Sequence, residues 1–136
     1  MMQMVPLVWI PLEAPVFTPG TRIRIWIPVT SRCTAGVMAR VKVIIYEGSI
    51  LPGHGTKLKE YYSAEAYMNP GDRVDFAVDH TTVKGTIDRR DVGARVEYWD
   101  GSRWVDSGVS DEWDDVYYVR APEYNFEIGQ PYVRSA

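Results

Sequence analysis

Residues 21–30 read TRIRIWIPVT, and this stretch decides the predicted fold class. Its aliphatic side chains recur at every second position, at Ile23, Ile25, Ile27 and Val29. Successive side chains of a β-strand point to opposite faces, so a period of two predicts a strand with one face in a core. The other face, which carries Trp26, is expected to meet solvent.

The same alternation recurs in the stretches 36–46, 73–80 and 92–98. Further strands are predicted near 58–68, 103–106 and 115–120, with a helix as the competing interpretation of 57–68. Turn signals separate the stretches, at Pro19-Gly20, Pro52-Gly53, Asn69-Pro70-Gly71 and Asp100-Gly101. The alternation also predicts the inward positions, which include Ile25, Ile27, Val41, Val43, Phe76, Val78, Ala94 and Val96.

The Asp100-Gly101 turn permits a prediction of register. A three-residue loop with Gly101 in the left-handed region would pair Tyr98 with Ser102. Glu97 would then face Arg103 across the ladder. A two-residue loop would instead bring Arg103 to the inner face, where an unpaired guanidinium is costly. We therefore expect the three-residue loop.

Strands of this number and length predict an all-β chain that folds as an antiparallel sandwich of about seven to nine strands. The corner Met68-Asn69-Pro70-Gly71-Asp72 and the strand opening Asp91-Val92-Gly93 resemble those of immunoglobulin-like and fibronectin-type-III-like modules, including the adhesion-like CARDB group. The resemblance implies an immunoglobulin-like sandwich over residues 21–120. Residues 1–20 are then an extended arm or first strand, and residues 121–136 form a second arm.

Charge and composition restrict the classes of partner. The net charge is −3 and the basic residues are scattered, whereas a nucleic-acid surface needs a basic stripe. Prolines interrupt the apolar start of the chain, which has no positively charged region, so we expect neither a signal peptide nor a membrane span, and synthesis in the cytoplasm. The single cysteine, Cys33, is expected to be a small buried hydrophobe.

The candidate metal ligands are few and badly spaced. His54 is expected in an exposed loop and His80 at the end of a core strand, too far apart in sequence for a typical zinc site. The acidic run Asp111–Asp115 is the better candidate, for calcium, but it lacks the alternating order of a calcium loop and is more typical of a solvated loop beside a sheet edge. We predict no metal site and no cofactor, and leave calcium at this run open.

Catalytic motifs are also missing. The sequence contains no Gly-x-Ser-x-Gly elbow and no phosphate-binding Gly-x-x-x-x-Gly-Lys, and no pair of its 18 acidic residues is singled out by spacing. We therefore predict no catalytic residues and a protein that is not an enzyme.

The chain has more aromatic and apolar residues than the inward faces of the predicted strands account for. The terminal arms combine proline with large apolar side chains, although free tails are normally polar. The predicted interaction surface comprises Trp9, Ile10, Leu12, Phe17, Trp26, Trp99, Trp113, Tyr124, Phe126 and Tyr132.

This surface predicts a structural protein that packs with copies of itself or with other subunits through its arms, as a homo-oligomer or in a larger assembly. Small immunoglobulin-like proteins without a signal resemble accessory subunits of virions, such as capsid-decoration or tail components. A carbohydrate-binding module is the alternative, because exposed tryptophans and tyrosines can stack on sugar rings.

Overall fold

The computed structural model describes residues 14–49 and 55–136, which form eight strands and no helix. Their bounds are β1 Val16–Phe17, β2 Arg22–Thr30, β3 Val37–Glu47, β4 Lys57–Tyr62, β5 Ala66–Met68, β6 Arg73–Thr81, β7 Arg89–Trp99 and β8 Trp104–Val119. The all-β prediction is confirmed. The competing helix over 57–68 is wrong, since β4 and β5 occupy that segment.

The strands form two sheets of unequal size. The large sheet has the order β1-β8-β7-β3-β4, with β5 also paired to β3, and the small sheet consists of β2 and β6. Adjacent strands are antiparallel except for β1 and β8, which run parallel with Val16 opposite Tyr118. This pair joins the first strand of the chain to the last one.

The core lies between the two sheets. Six of the predicted inward side chains are buried, and Ile25 and Val96 are partly buried against them. On β2 the outward residues Arg22, Arg24, Trp26 and Pro28 are all exposed, as their parity predicts. Arg22 and Arg24 both bond Asp79 on β6, at 2.8 and 2.7 Å. The hydrogen bond from Arg24, and to a smaller extent the one from Arg22, holds the pKa of Asp79 well below its usual range.

The hairpin between β7 and β8 differs from the predicted register. Trp99 pairs with Trp104, so the loop has four residues, and Glu97 lies opposite Asp106. The Asp100 carboxylate accepts hydrogen bonds from the backbone N–H groups of Ser102 and Arg103, at 2.8 and 2.9 Å. These bonds stabilise the longer loop, in which Gly101 does adopt the expected positive φ of 103°.

Strand β8 is one continuous element, so the prediction of two strands with an acidic loop between them is wrong. Gly108 and Asp115 have positive φ values of 81° and 51°, and the pairing with β7 shifts register at two places. Such bulges let an edge strand absorb extra residues without ending. The Asp115 N–H donates to the Asp91 carboxylate at 2.9 Å, and this bond stabilises the register shift at Asp115.

Candidate interaction surface

A cleft opens where the small sheet fails to cover the large one. Its two adjoining chambers have volumes of about 420 and 270 Å³ and share Val29, Thr30, Val96 and Val109. The rest of the lining is mostly apolar side chains of both sheets, among them Ile27, Val37, Ala39, Met68, Ala94, Tyr98 and Trp113. We call this feature the β2–β8 cleft, after the strands that form its two rims.

Both rims of the cleft are sheet edges. Within the part of the chain that the structure describes, β2 pairs only with β6, and β8 meets β1 only at Tyr118 and Val119 on the side away from β7. Unpaired strand edges are ready templates for another chain unless charge or proline protects them. Pro28 on β2 and the acidic residues of β8 give partial protection of this kind. Apolar side chains nevertheless line the space between the rims.

The acidic run lies in this β8 edge. Asp111, Glu112 and Asp114 are exposed on the strand, opposite or beside Val92, Gly93 and Ala94 of β7. No cluster of three or more metal-ligating side chains occurs in residues 14–49 and 55–136. The acidic residues predicted in a loop beside a sheet edge therefore lie on the edge strand itself.

The three exposed tryptophans of the prediction lie on three different surfaces. Trp26 is on the outer face of the small sheet, 57% exposed, and Trp113 lines the cleft. Trp99 follows the cleft residue Tyr98 and therefore points to the outer face of the large sheet. Each is exposed as predicted, but together they do not form the single flat platform that a sugar-binding face requires.

Trp99 is engaged in a cluster on the outer face of the large sheet. Its ring meets Trp104 edge-on, with centroids 5.7 Å apart. The Arg40 guanidinium lies 4.3 Å from the Trp104 ring and 4.0 Å from the Tyr62 ring, and it bridges to Glu97 at 2.8 Å. These contacts are cation–π and cross-strand packing within the sheet.

The C-terminal arm, residues 121–136, is exposed throughout and lies in no strand. The last backbone bond at its root is from Arg120 N–H to Phe17 O, 2.9 Å, and Arg120 also bonds Asp88. The predicted residues Tyr124, Phe126 and Tyr132 are 77, 87 and 80% exposed. Ile128 and Val133, which the predicted surface does not include, are each 95% exposed and belong to the same surface.

The N-terminal side of the predicted surface is different. Trp9, Ile10 and Leu12 lie outside the described residues. Phe17 is half-buried in β1, where its ring meets Tyr117 edge-on at 6.0 Å, so it packs on the chain's own core instead of extending from it. Tyr117 is buried, and burial raises the pKa of its hydroxyl to about 12. The parallel β1–β8 pairing brings Phe17 against Tyr117, and Tyr117 itself faces inward because it lies opposite the buried Arg90 of β7.

Two predicted polar or reactive residues are also placed. Cys33 is exposed rather than buried, because it follows β2 in the connection to β3 and lines the mouth of the cleft. His54 lies outside the described residues. His80 ends β6 in the core, as predicted, and its Nδ1 is 2.7 Å from the Tyr61 hydroxyl.

The environment of His80 makes stability depend on pH. Burial, and then the positive charges of Lys59 and Arg90, lower the pKa of the imidazole below its usual value. The unfolded chain therefore binds a proton at a higher pH than the folded chain does. The neutral imidazole stabilises the folded state fully at any pH above the unfolded pKa of about 6.5. This stabilisation is lost as the pH falls from that value through the lower pKa of the folded state.

We expect the free energy of unfolding to fall between pH 7 and pH 5, measured by urea denaturation at each pH. The carboxyl groups with lowered pKa, such as Asp79 and Asp88, titrate below this window. His80→Asn should flatten the slope, whereas His54→Asn should retain it. An unchanged slope in the His80 variant would contradict the assignment.

Residues 14–49 and 55–136 contain no helix long and apolar enough to span a lipid bilayer.

No protein-family model matches the chain, and neither does any curated protein. Among solved structures, the chain is similar to the Pseudomonas fluorescens alkylpurine DNA glycosylase AlkC, bound to DNA containing an abasic site analog. The TM-score is 0.45 and the identity 20%, over 78% of this chain and 28% of that chain. It is also similar to Spo0M, a sporulation control protein from Bacillus subtilis, with a TM-score of 0.47 and 14% identity, over 82% of this chain and 48% of that chain. The chain thus spans less than half the length of either protein, and neither protein's activity is assigned to it.

Proposed function

We propose that this protein is a non-catalytic assembly protein that packs with copies of itself through its C-terminal arm. The observation that carries the proposal is the exposure of five large apolar side chains on a 16-residue segment that lies in no strand. Exposed apolar surface of this kind marks sites of protein–protein contact in soluble proteins. The finer interpretation of the two sheets as an immunoglobulin-like sandwich belongs to the same proposal, because such modules serve widely as building blocks of assemblies.

The arm has the composition of an interface. It carries only Glu123, Glu127 and Arg134 as charged residues beside its aromatic and aliphatic side chains. Aromatic side chains each bury about 150–250 Å² and dominate the energetics of interfaces. The sugar-binding alternative has less support, because the exposed tryptophans lie on separate surfaces and Trp99 packs edge-on against Trp104.

The test is the solution mass of the full chain, by light scattering, compared with two matched variants. We expect wild type to show a multiple of the 15.5 kDa chain mass. The apolar triple variant Tyr124→Ser, Phe126→Ser, Ile128→Ser should be a monomer with an unchanged thermal unfolding midpoint. The control triple Glu123→Ser, Asn125→Ser, Glu127→Ser alters the intervening residues and should retain the oligomer. A monomeric wild type at high concentration, or equal masses for the two triples, would refute the proposal.

A further inference from the structure

We infer that the β2–β8 cleft is the docking site for the arm, and that the occupant is the segment 123–128 of a second copy of this chain. The inference rests on the proposed function and adds to it the surface that receives the arm. It is carried by three features of the described residues: the residue pattern of the arm, the lining of the cleft, and the place where the arm leaves the sheet.

The arm has the pattern of a strand that lacks a sheet. Tyr124, Phe126 and Ile128 alternate with Glu123, Asn125 and Glu127, so an extended backbone would place all three apolar side chains on one face. All three are at least 77% exposed. A strand with this pattern gains stability only when its apolar face is covered, and its own chain leaves that face open.

The cleft offers a matching surface. Along its β8 rim, Val109 and Trp113 lie four residues apart, as Ile128 and Tyr124 do in an arm that runs antiparallel to β8, which places Ile128 in the chamber that Cys33 lines. At a rise of about 3.3 Å per residue, each pair spans about 13 Å. Val109 is 62% exposed and lines both chambers, so its side chain lies in the path of any segment that enters. Extended peptides commonly bind where a sheet edge adjoins apolar pockets.

Charge determines which face of the arm enters. Glu123 and Glu127 would be repelled by Asp111 and Asp114, which are exposed on the same β8 rim. We therefore place the apolar face in the cleft and the two carboxylates toward solvent. Arg32, which lines the cleft after the end of β2, is also exposed to solvent.

A second copy is the occupant because the arm leaves from the far end of β8. Val119, the last residue of that strand, lies ten residues beyond Val109, which is about 33 Å along the strand. Every residue of the arm is exposed, so none of them is covered by the cleft of its own chain. An arm from one copy in the cleft of the next makes a head-to-tail contact, which closes into a ring or continues as a filament.

The free thiol of Cys33 at the mouth of the cleft permits a direct test in the full chain. The variant Ile128→Cys places a second thiol on the apolar face of the arm, at a position where substitution disturbs no packing. Equal amounts of ¹⁴N and ¹⁵N chains would be mixed, oxidised mildly and digested, and the disulfide-linked peptides identified by mass spectrometry. We expect linked peptides containing Cys33 and residue 128 that pair the two isotopes.

Matched variants separate docking from random collision. Glu127→Cys puts the thiol on the opposite face of the arm and should give several-fold less of the linkage to Cys33. Val109→Glu, added to Ile128→Cys, should reduce the linkage several-fold. Val83→Glu, at another exposed valine outside the cleft, should not. Thermal unfolding of each variant verifies that the fold is retained.

The outcomes distinguish this inference from the proposed function. If every linked pair of peptides carries a single isotope, the arm occupies the cleft of its own chain. This result would overturn the inference. A second outcome is that Ile128→Cys gives no more linkage than Glu127→Cys, while the oligomer still depends on the apolar face of the arm. This result would refute the cleft as the docking site but leave the assembly proposal intact. A monomeric chain with no such linkage would refute both.

Discussion

Phe76→Ala is expected to lower the free energy of unfolding by about 3–5 kcal/mol, the usual loss for a truncated core phenylalanine. Phe76 is 3% exposed on β6 and lies opposite Ile27 of β2. The small sheet has only two strands, so few of its side chains reach the core between the sheets. Removing the largest of them leaves a cavity that a two-stranded sheet cannot close by a small shift.

The control for Phe76 is Trp26→Ala, a larger truncation on the opposite face of the same sheet. Trp26 is 57% exposed, and the Arg24 guanidinium lies 5.7 Å from the centroid of its ring. An exposed cation–π contact contributes about 0.5–1 kcal/mol, so this variant should lose much less stability. Urea denaturation of both variants gives the comparison. Equal losses would show that the faces of the small sheet are assigned wrongly.

Arg90→Met is expected to lower the free energy of unfolding by about 3 kcal/mol or more, through the loss of buried hydrogen bonds. Arg90 is 1% exposed, yet its guanidinium donates to the carbonyls of Val83 and Arg89, each at 3.0 Å, and to that of Ile87. Val83 and Ile87 belong to the connection between β6 and β7. Methionine retains much of the side-chain volume but removes the donor to the Val83 and Ile87 carbonyls, whereas the Arg89 carbonyl keeps its bond from the Gly48 N–H.

A second effect opposes this loss, because burying a guanidinium costs desolvation energy that methionine avoids. We expect the hydrogen bonds to dominate, since one planar group reaches carbonyls at several points of the connection. Arg90→Lys should be intermediate, as an ammonium donates from a single point. Arg95→Met, which breaks only the exposed pair with Asp106, should change stability by less than about 1 kcal/mol. Equilibrium unfolding measures all three, and an Arg90→Met variant as stable as wild type would show that desolvation dominates.

Arg90 is buried, although its neighbours in the sequence are typical of a surface residue. Arg89 and Arg90, flanked by Asp88 and Asp91, have the appearance of a charged surface cluster. The alternation of Val92, Ala94 and Val96 extends back by two residues to Arg90, however, and so indicates an inward position. The signal for a buried arginine was therefore present in the pattern, but residue type alone favoured the surface.

The fold class and the faces of β2, β3, β6 and β7 followed from the sequence by itself. Alternation with a period of two is a local property of extended backbone, and it survives whatever the strand order is. The exposure of Trp26 and Trp99, and the position of His80 at the end of a core strand, came from the same parity, whereas Trp113 is exposed because it lies in the open cleft opposite Val92. The high content of aromatic and aliphatic residues in the C-terminal arm was also evident from the sequence.

Only the tertiary structure decided how the sheets cover one another. The parallel pairing of Val16 with Tyr118 joins residues about a hundred positions apart, and it brings Phe17 against the buried Tyr117. The bulges at Gly108 and Asp115 turn two short predicted strands into one, and move the acidic run from a loop to an edge. The β2–β8 cleft exists because a two-stranded sheet lies over a six-stranded one. Strand order and coverage depend on contacts between distant segments, whereas alternation records only which side of its own strand each residue occupies.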